Sequence, residues 1–337
     1  MTINMNLPLT DEFHHTSQND SHQNFFNDVI KGLKSTPKHL SSKYFYNKKG
    51  DELFQKIMAM PEYYLTRCEL DIFENKTEEL AASIRAYNEP FDLIELGAGD
   101  ALKSTYLIRH LNEMKIDFTY FPIDISGNIL SVLENNLKNQ LPELKIVTME
   151  GEYMEMLKKT SAISKNRKVV LFLGSNIGNM STHDAGKFCK ELYEILNPGD
   201  ILLIGFDLKK DPHIILKAYN DPSGITAAFN LNLLSRINEE LEADFTIDQF
   251  RHYETYDPLS GACHSFLVSL ADQKVKIGEE KIFFSENEVI EMEISQKFSK
   301  EDIKDLAEKS GFTVKAEIED SKKWFIDSVW QVNKTNK

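Results

Sequence analysis

The 337-residue sequence is short of several things, and each shortage excludes a class of protein. It has three cysteines, Cys68, Cys189 and Cys263, far apart in the chain. They make no C-x-x-C pair and no cluster with histidine at metal-ligand spacing, so neither a structural zinc nor a disulfide framework is expected. All three should be reduced bystanders, as in the cytosol. Positive charge is scarce: 39 Lys and Arg against 53 Asp and Glu leave a net charge of -14. Nucleic acid needs a basic patch and is not an expected partner. The densest basic stretch, "KKTSAISKNRK" (158–168), reads as a solvated loop before a strand. No apolar run approaches about 18 residues, so no membrane span is expected. The first twenty residues lack the basic start and apolar centre of a signal peptide. A cytoplasmic, monomeric protein that acts on a small molecule is expected, with residues 1–22 loosely ordered.

What is present is a rhythm. "FDLIEL" (91–96), "FTYFPID" (118–124), "LKIVTME" (144–150), "KVVLFLG" (168–174) and "DILLIGF" (200–206) are short and rich in β-branched or aromatic residues. Each is continuously apolar rather than alternating, the pattern of strands buried on both faces of a parallel sheet. Helical stripes lie between them. "GNILSVLENNLKNQL" (127–141) is one; "STHDAGKFCKELYEILNPGD" (181–200) is another, capped by Ser181 or Thr182 and stopped at Pro198-Gly199. Alternation of this kind predicts a doubly wound α/β sheet. After Phe206 the rhythm breaks into one helix and several short strands. It returns with a capped helix over 299–312 and two strands that read as a hairpin. The segment before Phe91 reads as helical and should cover the sheet or the site. The expected division is a sheet domain, 23–206 plus 296–337, and an inserted α+β substrate domain, 207–295.

The first strand runs into Gly97-Ala98-Gly99, but Leu102 stands where the dinucleotide fingerprint G-x-G-x-x-G has its third glycine. That glycine lets a helix N-terminus close on a pyrophosphate. A parallel core followed by a terminal antiparallel hairpin is, by fold analogy, the Rossmann-like class I arrangement of S-adenosylmethionine-dependent methyltransferases. S-adenosylmethionine has no phosphate, so the third glycine is dispensable. Gly97 and Gly99 would let the backbone approach it without a Cβ in the way. Asp124 can accept both ribose hydroxyl hydrogens, and Glu152 with Tyr153 can meet adenine through an acceptor and a flat ring. The competing reading is an ordinary α/β loop with solvated acids.

Four longer stretches are more specific: "YFYNKKGDELFQKIMAMPEYYLTRCE" (44–69), "LFLGSNIGN" (171–179), "AYNDPSGITAAFNLNLL" (218–234) and "EMEISQKFS" (291–299). In order and spacing they resemble the histidine-specific N-α-methyltransferases, which make hercynine in ergothioneine biosynthesis. The resemblance runs from about Phe25 to the C-terminus. It implies that the substrate histidine lies between the sheet edge and the inserted domain. Asn179 and Tyr219 would bind its carboxylate through an amide and a phenol, without a cation. Glu293 and Ser295 would bind the imidazole, their i, i+2 spacing placing both on one face of a strand. Tyr63 would reach the other ring nitrogen, and Tyr46 would lie near the reacting amine. For the cofactor, the resemblance points to Gly97, Lys103, Asp124, Glu152 and Tyr153. Family members have aspartate where Glu152 stands and phenylalanine where Tyr153 stands, mild changes for adenine binding. Ser265 aligns with a family methionine against the substrate ring, which leaves methyl transfer intact and puts the exact amino acid in doubt.

Without these blocks, Tyr46, Tyr63 and Tyr64 read as packing residues, Asn179 as a turn or cap, and Glu293 as one solvated acid among several. Their joint occurrence reverses that. His110, His213, His252 and His264 have no spacing for a dyad or a metal and read as structural; no metal site is expected. The expected chemistry is attack of a neutral α-amine on a sulfonium methyl, three transfers giving a betaine. Tyr46, a water or bulk solvent could take the proton. The alternatives are the same chemistry on another amino acid or derivative, an NAD-dependent oxidoreductase, and a non-enzymatic S-adenosylmethionine sensor.

Overall fold

A computed structural model describes residues 18–85 and 89–334. Of the segment expected to be loosely ordered, residues 1–17 lie outside the described residues, and the rest opens the first helix. In chain order the helices are α1 (Gln18–Leu33), α2 (Lys48–Ala59), α3 (Tyr64–Asn75), α4 (Thr77–Ile84), α5 (Ser104–Glu113) and α6 (Gly127–Gln140). They continue with α7 (Tyr153–Ile163), α8 (Thr182–Ile195), α9 (Pro212–Tyr219), α10 (Ile225–Glu240) and α11 (Lys300–Ser310). The strands are β1 (Lys38–His39), β2 (Phe91–Leu96), β3 (Phe118–Asp124), β4 (Met149–Glu150), β5 (Arg167–Phe172) and β6 (Ile201–Asp207). After them come β7 (Phe250–Tyr256), β8 (Ala262–Ser269), β9 (Gln273–Ile277), β10 (Glu280–Phe284), β11 (Val289–Gln296), β12 (Phe312–Glu319) and β13 (Phe325–Val332).

The chain divides into two compact units. The larger comprises residues 57–221, 254–264 and 294–337. Its seven-stranded sheet has the order β12-β13-β6-β5-β2-β3-β4. β2, β3, β4, β5 and β6 are parallel, and the hairpin β12–β13 joins antiparallel through β13 against β6. β2 and β6 are buried at every residue, which is why both read as unbroken apolar runs. Each fully buried Leu, Ile, Val or Phe contributes roughly 1.5–3 kcal/mol from removal of apolar surface. The sheet's two faces carry separate buried clusters, one around Ile72, Phe73 and Tyr120, the other around Phe172, Phe206 and Trp330. Local caps agree with the sequence. Ser181 accepts the Asp184 N–H at 3.1 Å. Ser299 and Asp302 form a reciprocal capping box, and Gly311 ends α11 at φ +100°, a left-handed turn that favours glycine.

Two local expectations change. The strand expected over 144–150 is ordered as a strand only at Met149–Glu150, with one isolated bridge between Tyr120 and Ile146. It is the sheet edge, so only one neighbour holds it. The basic stretch 158–168 is not a solvated loop. Its first part ends α7, and Lys168 is buried against Asp92 at 3.2 Å.

The second unit comprises residues up to 56, 222–253 and 265–293. This differs from the expected boundaries, 23–206 plus 296–337 against 207–295. The N-terminal segment groups with the middle block, because β1 pairs parallel with β11 at Lys38↔Ile290. Phe45 is fully buried against Phe229, ring centroids 4.8 Å apart, and Arg236 donates to the Tyr44 carbonyl at 2.9 Å. Residues 207–221 group with the sheet, because α9 buries Ile215 and Ala218 in its unit.

Candidate active site

In the sheet unit, β2 delivers Gly97 beside the end of β3. The Gly97 and Ala98 N–H groups both donate to the Ile123 carbonyl, at 2.8 and 3.1 Å. Gly97 has φ +72° and Gly99 φ +54°, values that residues with a Cβ rarely adopt. At Gly97 space matters too: a Cβ would stand 2.7 Å from the Tyr153 hydroxyl and 3.4 Å from the Asn176 amide nitrogen. Asp124 ends β3 and fastens the loop, accepting the Gly99 N–H at 3.1 Å and the Ser126 N–H at 3.0 Å. Tyr153 opens α7, edge-on to Phe172. Burial pushes its phenol up to about 12, so the ring stays neutral. Glu152 precedes it as an exposed N-cap residue.

The loop's N–H groups decide what it can hold. Those of Gly97, Ala98, Gly99, Ala101 and Leu102 all donate within the protein. A pyrophosphate cradle instead aims such groups at its ligand. The loop therefore fits an adenosyl cofactor without phosphate, and the dinucleotide alternative loses its main support.

Strand order reverses between β2 and β5, the point at which open α/β sheets bind ligands beyond their carboxyl ends. Gly97 follows one of these strands and Gly174 the other. Between them Lys103 pairs with Glu69 of α3. Glu69 is fully buried, and both its oxygens accept the Gly174 N–H, at 2.8 and 2.9 Å. On β2, buried Glu95 accepts from the Tyr120 hydroxyl. Burial pushes its carboxyl up to about 7, against the pull of Tyr120 and Ser104.

A second polar cluster lies at the ends of β6 and β11. Lys297 is fully buried and donates to Asp207 at 2.8 Å, the Tyr219 hydroxyl at 2.6 Å and the Ser295 hydroxyl at 2.7 Å. Tyr219 and Ser295 are 2.8 Å apart. Asp207 also takes Lys210 and the Tyr64 hydroxyl, the latter at 2.8 Å. Burial opposes charge on Asp207, yet Lys297 and Lys210 hold its carboxyl below the usual range. Burial likewise opposes charge on Lys297, but Asp207 raises its ammonium above the ordinary value. Tyr63 stands edge-on to Tyr219, centroids 6.0 Å apart.

A single turn ties the two clusters together. Ser175 takes a left-handed φ of 57° and accepts the Asp207 N–H at 3.2 Å. The 3-10 turn Asn176–Asn179 follows. Its first residue meets the glycine loop at Gly97. Its third, Gly178, lies so near β11 that a Cβ would come within 2.8 Å of the Gln296 carbonyl. Asn179, at the far end, is exposed.

The family described as "Histidine-specific methyltransferase, SAM-dependent" matches residues 25–332. The chain belongs to this family. Its relatives include a histidine N-alpha-methyltransferase of Mycobacterium tuberculosis, 35% identical over 84% of this chain and 87% of the relative. A second, from Mycolicibacterium smegmatis, is 34% identical over 82% and 85%. Ergothioneine biosynthesis protein 1 of Neurospora crassa is 34% identical over 80% of this chain and 30% of its own length.

The residues singled out in this family member fall into two sets. Gly97, Gly99, Lys103, Asp124, Glu152, Tyr153, Tyr63, Asn179, Tyr219 and Ser295 belong to the sheet unit; Tyr46, Ser265 and Glu293 belong to the other. There, Tyr46 is 38% exposed and edge-on to Phe54 and Phe229. Ser265 is buried, donates to Asn230 at 2.9 Å and meets His252 at 2.8 Å. Glu293 is half-buried on β11. Among the described residues no group of three or more His, Cys, Asp or Glu could hold a metal. The three cysteines are free and buried.

Two expectations need revision. An anion at Tyr219 would not be held without a cation, because the Lys297 ammonium stands directly behind the phenol. Ser295, expected at the imidazole, also accepts from Lys297 and bonds Tyr219. Sequence reasoning missed Lys297, Asp207, Lys210 and Glu69 altogether. One signal was there: Lys297 continues the i, i+2 series of Glu293 and Ser295.

Proposed function

We propose that the protein transfers methyl groups from S-adenosylmethionine to the α-amine of free L-histidine, three rounds giving hercynine. The observation that carries this reading is the turn Asn176–Asn179, which joins the phosphate-free glycine loop to the polar cluster of Tyr219, Ser295 and Lys297. Gly97, Gly99, Lys103, Asp124, Glu152 and Tyr153 would hold the cofactor, which when bound supplies an electrophilic methyl on a sulfonium. The chain's own work is orientation. Asn179 offers an amide and Tyr219 a phenol to the substrate carboxylate. Glu293 accepts a ring N–H, Ser295 supports the same side through Tyr219, and Tyr63 serves the remaining ring nitrogen. Tyr46 flanks the amine. Each transfer removes one N–H, so the amine pocket cannot rely on donated hydrogens. Ser265, tied to Asn230 and His252, is polar where the family has methionine, and this favours a second reading in which another amino acid or derivative is the substrate.

The test is incubation with S-adenosylmethionine and each of the twenty amino acids, with products read by mass. Three methyl groups gained on histidine alone is the expected result. Methylation of a different amino acid would replace histidine and move specificity to Ser265. No product, with cofactor binding intact, would point to a modified substrate or a sensor.

A further inference from the structure

We propose that Lys297 is a positioning residue for the substrate carboxylate, acting through Tyr219 and Ser295 rather than touching the substrate. This rests on the reading above that Tyr219 meets that carboxylate. The donor count comes first. A lysine ammonium has three N–H groups, and those of Lys297 go to Asp207, Tyr219 and Ser295 at 2.6–2.8 Å. None remains for a ligand. What Lys297 does instead is occupy the phenol oxygen, so the Tyr219 O–H must point away from it. A phenol that accepts from an ammonium is also a stronger donor, since hydrogen bonds polarise one another in a low dielectric. The ammonium lies 4.6 Å from the centre of the Tyr219 ring, so ring and hydroxyl are fixed by the same group.

Charge points the same way. Two ammonium groups, Lys297 and Lys210, share the single carboxylate of Asp207. All three are buried or nearly so, with side chains 0%, 6% and 0% exposed. Within the trio the ammonium groups outnumber the carboxylates by one, and the buried carboxylate of Glu254 is close by, bonded to Cys263 at 3.0 Å. Positive charge held behind the phenol favours an anion on the far side of Tyr219. Asp207 aims Lys297, Lys297 occupies both hydroxyl oxygens, and with Ser295 donating to Tyr219 the one O–H left, that of Tyr219, is turned to the ligand.

The experiment is a double-mutant cycle on Tyr219→Phe and Lys297→Gln. It reads the Kd of L-histidine by calorimetry with S-adenosylhomocysteine present, and kcat and KM separately. Each single change should weaken histidine binding by roughly 10- to 100-fold, the range for hydrogen bonds to charged groups. The double variant should be no worse than the weaker single one. KM should carry the loss and kcat should move little, as for an interaction made equally in ground and transition states. Losses that multiply would overturn the proposal, because Lys297 would then act independently of Tyr219. So would normal binding in Lys297→Gln beside a deficient Tyr219→Phe, which leaves the carboxylate reading intact. Unchanged binding in Tyr219→Phe would sink the carboxylate reading itself. Should Lys297→Gln melt below the assay temperature, Lys297→Arg keeps the charge against Asp207 and displaces the donors. It should give the same KM-only loss with an unchanged melting temperature; unaltered histidine binding in it would count against the proposal.

Discussion

Asp207 and Asp327 sit on neighbouring antiparallel strands, β6 and β13, two register positions apart, and both are completely buried. They have opposite fates. Asp207 takes two ammonium groups and a phenol, and it is held charged below the usual carboxylate range. Neither oxygen of Asp327 has a hydrogen-bond partner among the described residues. Burial pushes its carboxyl far up, with Glu69 adding to the effect and Lys103 opposing it. Equal burial thus favours the charged form in one strand and the protonated form in the next. Partners decide the charge, and the charged member is the one beside the proposed substrate cluster.

The harshest way to break this contrast is Asp207→Asn, which leaves two buried ammonium groups facing each other. Removing one partner of a buried ion pair costs about 3–5 kcal/mol, so a large drop in the urea midpoint is expected, together with loss of histidine binding. Tyr64→Phe is milder, since it takes one donor from Asp207 and leaves both lysines. About 1.5–3 kcal/mol is expected for a lost hydrogen bond to a charged group, read by the same melt.

The smallest change sharpens the contrast through pH. Asp207 has a depressed folded value, so its stabilisation is present above the unfolded value of 3.8 and lost as pH falls through the folded one. Asp327 works the other way: the folded protein keeps a proton that the unfolded chain releases above 3.8. Stability therefore declines as pH rises from there, and Glu95 adds a decline of the same sign between 4.5 and about 7. Asp327→Asn should flatten part of that decline and leave the acid limb set by Asp207 in place. A melting-temperature profile across pH that keeps its wild-type slope would remove Asp327 from this account.

The parallel strands, the hairpin and the capped helix from Ser299 were legible because each is written in adjacent residues. So was the glycine loop, although Asp124, read as a ribose acceptor, also accepts the Gly99 and Ser126 N–H groups, which its sequence does not show. The buried cations were not. Lys297 is one of 39 basic residues, and only its place two residues after Ser295 and four after Glu293 separates it from a solvated one. "FDLKKD" looks like an exposed charge run, yet it supplies Asp207 and Lys210. The grouping of residues up to 56 with the middle block was also hidden, since β1 is two residues long and its partner is about 250 residues away. Distant pairing of that kind leaves no periodicity to read.

The turn Asn176–Asn179 has one more consequence. A 3-10 turn rises about 2 Å per residue, so Asn176, which meets the glycine loop, and Gly178, which meets β11, stand about 4 Å apart along its axis. Side chains at either end can be exchanged without altering that spacing. Adding or deleting one residue between them would alter that spacing at once. The turn thus tolerates substitution at either end far better than insertion.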